Sequence, residues 1–510
     1  MLFFKILKRC RVALSLLVFA GITYYFAVVW IHATHFLAPL LKLQFIPSLL
    51  GLMTGSLWVC VALLLLTALF GRFYCSLLCP MGTLQDISIR IARLFKSKKR
   101  RHFHYARPHQ MVRYSILATV SACWIAGLSF PLLLLDPYSN FGRFATHLLG
   151  PVMHGLNNLA SYRLPDTFYY VSFSPVSLWI YVLLIAVFLI IVGLSAFKGR
   201  LFCNTLCPVG SFLGIISKYA AFRPVVQKSA CNHCGVCALK CKASCINTKE
   251  QTVDYSRCVA CVNCILSCKQ GAMVYTFCWG KKRGESPTKE VLDKTRRTFL
   301  ASAGGVVGAT AIYRVVNGNS LVFNSAQNTI SPPGARSHAH LKQFCTACQA
   351  CVAACPMRII KPTLTGYGLD GLMIPALSFD KGFCSYDCNR CAQVCPSGAI
   401  EAITIEEKKL IQIGKADFKP RLCVVTIDRT DCGACDEHCP TKAVRMVPFG
   451  DGKLRRPMVD RDRCIGCGAC ESICPATPKA ITVVAQSVHT TALPPTVEKQ
   501  EQVVVDDFGF

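Results

Sequence analysis

Residues 231–268 carry one cysteine spacing twice, as CNHCGVCALKC and CVACVNCILSC, each C-x2-C-x2-C-x3-C. A cube of four irons and four sulfides needs a thiolate at each of four corners. The tight C-x2-C-x2-C loop supplies three, and in paired sites the partner motif supplies the fourth. That rule gives Cys231, Cys234, Cys237 and Cys268 to one [4Fe-4S] cluster, and Cys258, Cys261, Cys264 and Cys241 to a second. Two departures stand out. Lys242 and Lys269 occupy the positions where proline usually follows, and Cys245, four residues beyond Cys241, is an alternative fourth ligand. Structural zinc also takes four ligands per site, but without this triple spacing.

Beyond residue 340 the pattern returns four times: Cys345, Cys348, Cys351 and Cys355; Cys384, Cys388, Cys391 and Cys395; Cys423, Cys432, Cys435 and Cys439; and Cys464, Cys467, Cys470 and Cys474. The second motif has one extra residue in its first gap, and the third has a long first gap. A proline follows the last cysteine of every motif. Sixteen thiolates make four cubes, although spacing alone leaves open which motif lends a fourth ligand to which. Disulfides are the ordinary alternative for an exported segment, and the triple spacing with its Cys-Pro endings argues against them. The expected total is six [4Fe-4S] clusters. No C-x-x-C-H haem signature and no phosphate-cradling glycine pattern accompanies them. Several cubes without a nucleotide site make a conductor of electrons.

Four further cysteines sit in a repeated box. GRFYCSLLCPMG at 71–82 returns as GRLFCNTLCPVG at 199–210. Cys75 and Cys79, like Cys203 and Cys207, stand at i and i+4, on one side of a helix. Pro80 and Pro208 predict a break at the preceding cysteine and the start of a new helix. Arg72 and Arg200 are expected to snorkel to a membrane interface. The two boxes could close one redox site of four thiolates, an additional centre, or serve as packing and turn devices. Cys10, Cys60, Cys123 and Cys278 fit no motif and read as structural.

These sites need elements to hold them. The chain has 510 residues, 53% hydrophobic content and a net charge of +29. Charge-free apolar runs at 12–31, 46–70, 114–135 and 176–197 reach the ~20 residues of a membrane-crossing helix. Between the second and third runs, 90–113 carries nine Lys/Arg and no acid, which puts that loop and the N-terminus inside. Both boxes then lie on the inner side. Topology and anionic lipid account for the basic excess, so no nucleic-acid partner is needed. A fifth run, 299–313, follows TRRTFL, in which Arg296 and Arg297 match a twin-arginine export signal; a stop-transfer helix with flanking arginines is the alternative. His32, His35, His147 and His154 read as interfacial polar residues that could also serve a quinol or a haem, and His102, His104 and His109 as solvated.

The expected fold is multidomain: an α-helical transmembrane bundle of four spans plus a fifth anchor helix, with two α+β ferredoxin-like parts. The expected boundaries are a membrane domain at 1–222, an inner two-cluster ferredoxin at 223–280, a basic linker at 281–298, the fifth helix at 299–316, an outer four-cluster polyferredoxin at 317–485 and a flexible tail at 486–510. On these motifs, residues 1 to about 280 resemble the NapH membrane ferredoxins, with the membrane part of NosR related. Residues from about 295 to 485 resemble NapG and MauM. The resemblance implies a component of a quinol dehydrogenase. It would sit in a bacterial inner membrane and pass electrons from the quinol pool, or from a cytoplasmic ferredoxin, to a periplasmic reductase or cytochrome. The boxes also resemble CcoG-type assembly proteins that reduce copper, which leaves maturation or regulation as a second class.

Overall fold

A computed structural model describes residues 2–28, 35–51, 57–97, 103–166, 168–171, 175–278, 328–368, 371–450 and 452–495. The twin-arginine pair, the fifth apolar run and the whole linker at 281–298 lie outside the described residues. Among those described, two helices are long and apolar enough to cross a membrane, Leu2–Val28 with 27 residues and Leu178–Lys198 with 21. Four spans were expected, and the other two are not seen as single helices of that length among the described residues. The second run is described on either side of 52–56, as Phe45–Leu50, which contains Pro47, and Leu57–Phe70. The third stops at Gln110–Ile125, because Gly127 turns the chain at φ 85°, and resumes as Phe130–Leu135 with Pro131 in its first turn.

The remaining helices of this helical domain shape its two ends. Pro80–Phe95 and Pro208–Ser217 start on the box prolines. Pro137–Phe144, a π-helical turn at Ala145–Leu149 and Gly150–Arg163 form the opposite end. Asp136 caps Pro137–Phe144 by accepting from the Ser139 amide at 2.9 Å.

Two cysteine-rich domains follow. In the two-motif domain, Phe222–Val226 pairs antiparallel with Met273–Phe277, and Ile246–Asn247 with Thr252–Val253. In the four-motif domain, Ile360–Pro362 pairs with Pro375–Leu377, Val444–Phe449 with Leu454–Val459, and Ile411–Phe418 with Ile481–Thr491. The last strand corrects the expected tail at 486–510. It runs to Thr491, with a bulge between Ala485 and Thr490 that lets His489 meet Ser331 at 2.8 Å. One apolar core runs from Val18 and Phe26 through Tyr138 into Cys348, Ile360 and Ile413, so the helical domain and the first half of the four-motif domain share an interior.

Candidate cluster sites

The four motifs of regular spacing are built the same way. A short helix carries the third cysteine, as in Val236–Leu239, Asn263–Ser267, Ala350–Ala354 and Ala469–Ile473. Before that helix the loop takes two left-handed residues. They are His233 and Gly235, Ala260 and Val262, Ala347 and Gln349, and Gly466 and Gly468, all with φ between 49° and 79°. Alternating left- and right-handed residues turn successive N–H groups toward one point, a nest for negative charge. The Ala347 amide accordingly donates to Cys345 Sγ at 3.3 Å. Ala260, Asn263, Ala350, Gly466 and Ala469 donate likewise to the cysteine two residues before each. Sequence reasoning missed these donors. The two motifs with irregular first gaps lack this pair of left-handed residues, since Asn389 and Gly433 have φ of −126° and −120°.

The fourth cysteines cross over. Before proline, an extended conformation is favoured, and Cys355, Cys395 and Cys474 have ψ of 112°, 111° and 123°. Each therefore leads away from its own loop. Cys231, Cys234, Cys237 and Cys268 line one hollow, and Cys241, Cys258, Cys261 and Cys264 line a second. Cys474 lines a hollow with Cys423, Cys432 and Cys435. Cys439 neighbours Cys464, Cys467 and Cys470. Cys395 neighbours Cys345, Cys348 and Cys351, and Cys355 neighbours Cys384 and Cys391. The pairing that spacing left open thus exchanges fourth cysteines within the first pair of motifs and within the second. Among the described residues no three such side chains converge as on a single ion. A cube takes one thiolate at each of four corners, and each crossed quartet supplies four. Cys245 stays an alternative, with its Sγ 3.5 Å from that of Cys241 and its side chain on the same hollow.

The boxes meet as two halves around a pseudo-twofold. Cys75, Cys79, Cys203 and Cys207 are all buried and share one electrostatic neighbourhood. Arg72 donates from Nη2 to the Cys203 carbonyl at 2.9 Å, and Arg200 from Nη1 to the Cys75 carbonyl at 2.7 Å. The snorkelling expected of both arginines is therefore wrong. They are 0% and 1% exposed because each spans to the opposite box. Gly82 and Gly210 complete the symmetry, since a Cβ there would lie 2.1 Å from the Cys75 and Cys203 carbonyls. The expected break holds, with Cys79 and Cys207 extended at ψ 115° and 118°. Donors converge on the thiols: Gly210 N–H on Cys207 Sγ at 3.3 Å and Gln85 Nε2 on Cys203 Sγ at 3.2 Å. Four buried sulfurs with aimed donors and two cations beside them suit an anionic cluster better than idle thiols.

Comparison with known proteins agrees. A family model described as a 4Fe-4S binding domain matches residues 52–102 and 180–228, the segments that carry the boxes. Models of 4Fe-4S dicluster domains match 341–400 and 428–477. The ferredoxin-type protein NapG of Escherichia coli K12 is 28% identical over 201 residues, 38% of this chain and 87% of NapG. The methylamine utilization ferredoxin-type protein MauM of Methylobacillus flagellatus is 28% identical over 213 residues, 39% of this chain and 85% of MauM. The C-terminal part of the chain is thus similar to the NapG and MauM ferredoxin-type proteins and carries 4Fe-4S dicluster domains. Another relative is the ferredoxin-type protein NapF of Escherichia coli K12, 28% identical over 168 residues, 33% of this chain and 90% of NapF. No solved structure matches.

The polyferredoxin and the two-motif ferredoxin dock on opposite ends of the helical domain. At the box end, Asp86 accepts from Arg200 Nη2 at 2.9 Å and from Lys242 Nζ at 2.6 Å. Lys242, the departure from the usual proline, is thus a docking residue. The two cations hold the Asp86 carboxyl below its ordinary range despite burial. Arg72 and Arg113 both donate to the Ser256 carbonyl, two residues before Cys258. At the other end Arg143 Nε donates to the Ala347 carbonyl at 3.0 Å, and Tyr138 packs beside Cys348. Within the polyferredoxin the Cys384 amide bonds the Cys467 carbonyl at 2.8 Å, which brings the two cluster pairs together.

Proposed function

We propose that the protein is a membrane-bound electron conductor that draws electrons from quinol, with a cytoplasmic donor as a second input, and delivers them to a periplasmic reductase or cytochrome. The observation that carries this reading is the placing of cysteine quartets at both ends of one helical domain. Two lie in the two-motif ferredoxin, one in the boxes against Ser256 and Cys258, and four in the polyferredoxin beyond Tyr138. The boxes hold a seventh [4Fe-4S] cluster. Residues that would hold the clusters are the six quartets in their crossed pairing, plus Cys75, Cys79, Cys203 and Cys207. The clusters supply one-electron storage, and the chain's residues supply spacing, N–H donors and exclusion of water. On this reading the two-motif ferredoxin lies in the cytoplasm and the polyferredoxin outside, as the resemblance of the first 280 residues to NapH would imply.

The test uses the full chain in detergent or nanodiscs. Menadiol or decylubiquinol is added anaerobically, and reduced clusters are counted by EPR against a dithionite-reduced reference. Reduction by at least one quinol is expected. Clusters that dithionite reduces and neither quinol does would overturn the reading.

A further inference from the structure

A cleft of about 360 Å³ lies at the box end, between the helical domain and the two-motif ferredoxin. That is within the ~300–1,000 Å³ of small-molecule sites. Tyr105, Arg107, Lys198, Thr205, Ser244 and Arg257 are among the residues that line it, and no Asp or Glu does. Its basic groups differ in how far they are engaged. Arg113 commits all its nitrogens to Gly210, Ser211 and Ser256, so its role is structural. Arg257 donates from Nε to Asp254 at 2.7 Å and from Nη1 to the Ala106 carbonyl at 2.9 Å. Its Nη2 has no partner, although the residue is only 5% exposed. A buried donor left over on a charged group is costly, which points to an absent acceptor. Arg107 and Lys198 are exposed on the same cleft, and among the described residues nothing pairs with either side chain.

The place of the cleft gives the ligand its class. Lys198 is the last residue of the span-length helix Leu178–Lys198, and His109 directly precedes Gln110–Ile125, so both apolar runs end at the rim. Beside it Met111, Val112 and Phe197 are exposed. An apolar chain can lie along them while a charged head enters the cleft. Basic pockets at the ends of membrane helices take the head groups of anionic lipids, and guanidinium donors suit phosphate oxygens. An acidic protein would use the charges and leave the apolar rim uncovered.

We infer that this cleft binds the phosphodiester head of an anionic membrane lipid; the inference rests on the membrane part of the reading above. A phosphate oxygen accepts from Arg257 Nη2, and Arg107 and Lys198 close on the same charge from the open side. The lipid then ties three parts together. Lys198 ends the fourth apolar run, Thr205 lies between Cys203 and Cys207 of the second box, and Arg257 directly precedes Cys258. It forms a second dock for the two-motif ferredoxin, beside the triad at Asp86.

The test uses the full chain, delipidated in detergent and then titrated with dioleoylphosphatidylglycerol or dioleoylphosphatidylcholine. Native mass spectrometry counts bound lipid, and hydrogen exchange locates it. Phosphatidylglycerol should bind about tenfold tighter than phosphatidylcholine and slow exchange at 104–109 and 243–257. Arg107→Glu with Lys198→Glu should lose that preference, with iron content unchanged. Should that variant lose iron, Lys198→Gln decides by the same comparison. Lys218→Glu with Lys249→Glu makes the same charge change at exposed residues outside the cleft and should keep the preference. Equal loss in both double variants would assign the preference to the basic surface at large and overturn the site. Equal binding of the two lipids by wild type would overturn it too, while the membrane reading stands. If neither lipid binds, the membrane reading falls and the site falls with it. Inorganic phosphate is the last arm: the same protection from phosphate without lipid would make this a site for a free anion and overturn the lipid.

Discussion

The helical domain holds its two ferredoxin partners by opposite means. At the box end the contact is ionic. Asp86, Arg200 and Lys242 form a buried triad, and Arg72 and Arg113 reach the Ser256 carbonyl. At the polyferredoxin end the contact is mostly steric and apolar: Phe26, Tyr138 and Gly142 pack against the Cys348 loop in a shared core, with Arg143 bonded to that loop and Arg358 to His154. A buried ion pair adds little net stability but is severe to break, because the surviving charge has nowhere to go. An apolar seam loses stability in proportion to the atoms displaced. The first arrangement fixes an orientation, and the second fixes a distance. Both matter for electron hopping, and they fail differently.

The largest effect is expected at the boxes themselves. Cys75→Ser with Cys203→Ser should lower iron by about four atoms per chain, one cube. Electron transfer from the two-motif ferredoxin to the polyferredoxin should disappear. Iron analysis with cluster-resolved EPR reads both. Unchanged iron would reduce the boxes to packing devices.

Next comes the ionic dock. Asp86→Asn strands Arg200 and Lys242, which are 1% and 9% exposed at the side chain. Breaking such a site costs about 3–5 kcal/mol. Protease accessibility of residues near 242–256 should rise sharply, with the polyferredoxin unaffected. A smaller loss is expected on the other side. In Gly142→Ala the new methyl would lie 2.3 Å from the Cys348 carbonyl and 2.9 Å from the Phe26 ring. Overpacking of this kind costs about 1–3 kcal/mol. Thermal unfolding and the EPR line shape of the adjacent cluster should both shift, and protection of the two-motif ferredoxin should not.

Much of this was legible in the sequence, for a physical reason. Cubane ligation imposes a local spacing, so the two motifs at 231–268 and the four later ones announce themselves. Prolines write a break wherever they fall, hence the extended Cys79 and Cys207. What spacing cannot carry is anything two segments decide together. The crossed partners of Cys355 and Cys474 depend on how loops pack. So does the reciprocal grip of Arg72 and Arg200, which a single-segment view turns into snorkelling. Lys242 was visible as an anomaly, and only Asp86, 156 residues away, explains it. Helix lengths misled for a related reason. Hydropathy counts apolar residues, whereas Gly127 and Pro131 decide where the third run can continue as a helix.

The mildest expected effect separates the two ends by pH. The cations at Asp86 depress its carboxyl, so its contribution is fully present above the ordinary carboxylate range and is lost only below it. The ionic dock should therefore hold through mild acid. In the polyferredoxin, burial lowers the His489 imidazole to about 4 from 6.5. A lowered histidine is neutral when folded, and the unfolded chain binds the extra proton. Its contribution is full above about 6.5 and fades as pH falls toward 4. The strand end at His489 and Ser331 should loosen by roughly 1–2 kcal/mol between pH 7 and pH 5. Hydrogen exchange at residues 481–491 against that at 241–258 measures the difference. His489→Gln, which keeps a donor for Ser331 without the titration, should abolish the slope; a slope that survives would assign it to His338, the neighbouring imidazole.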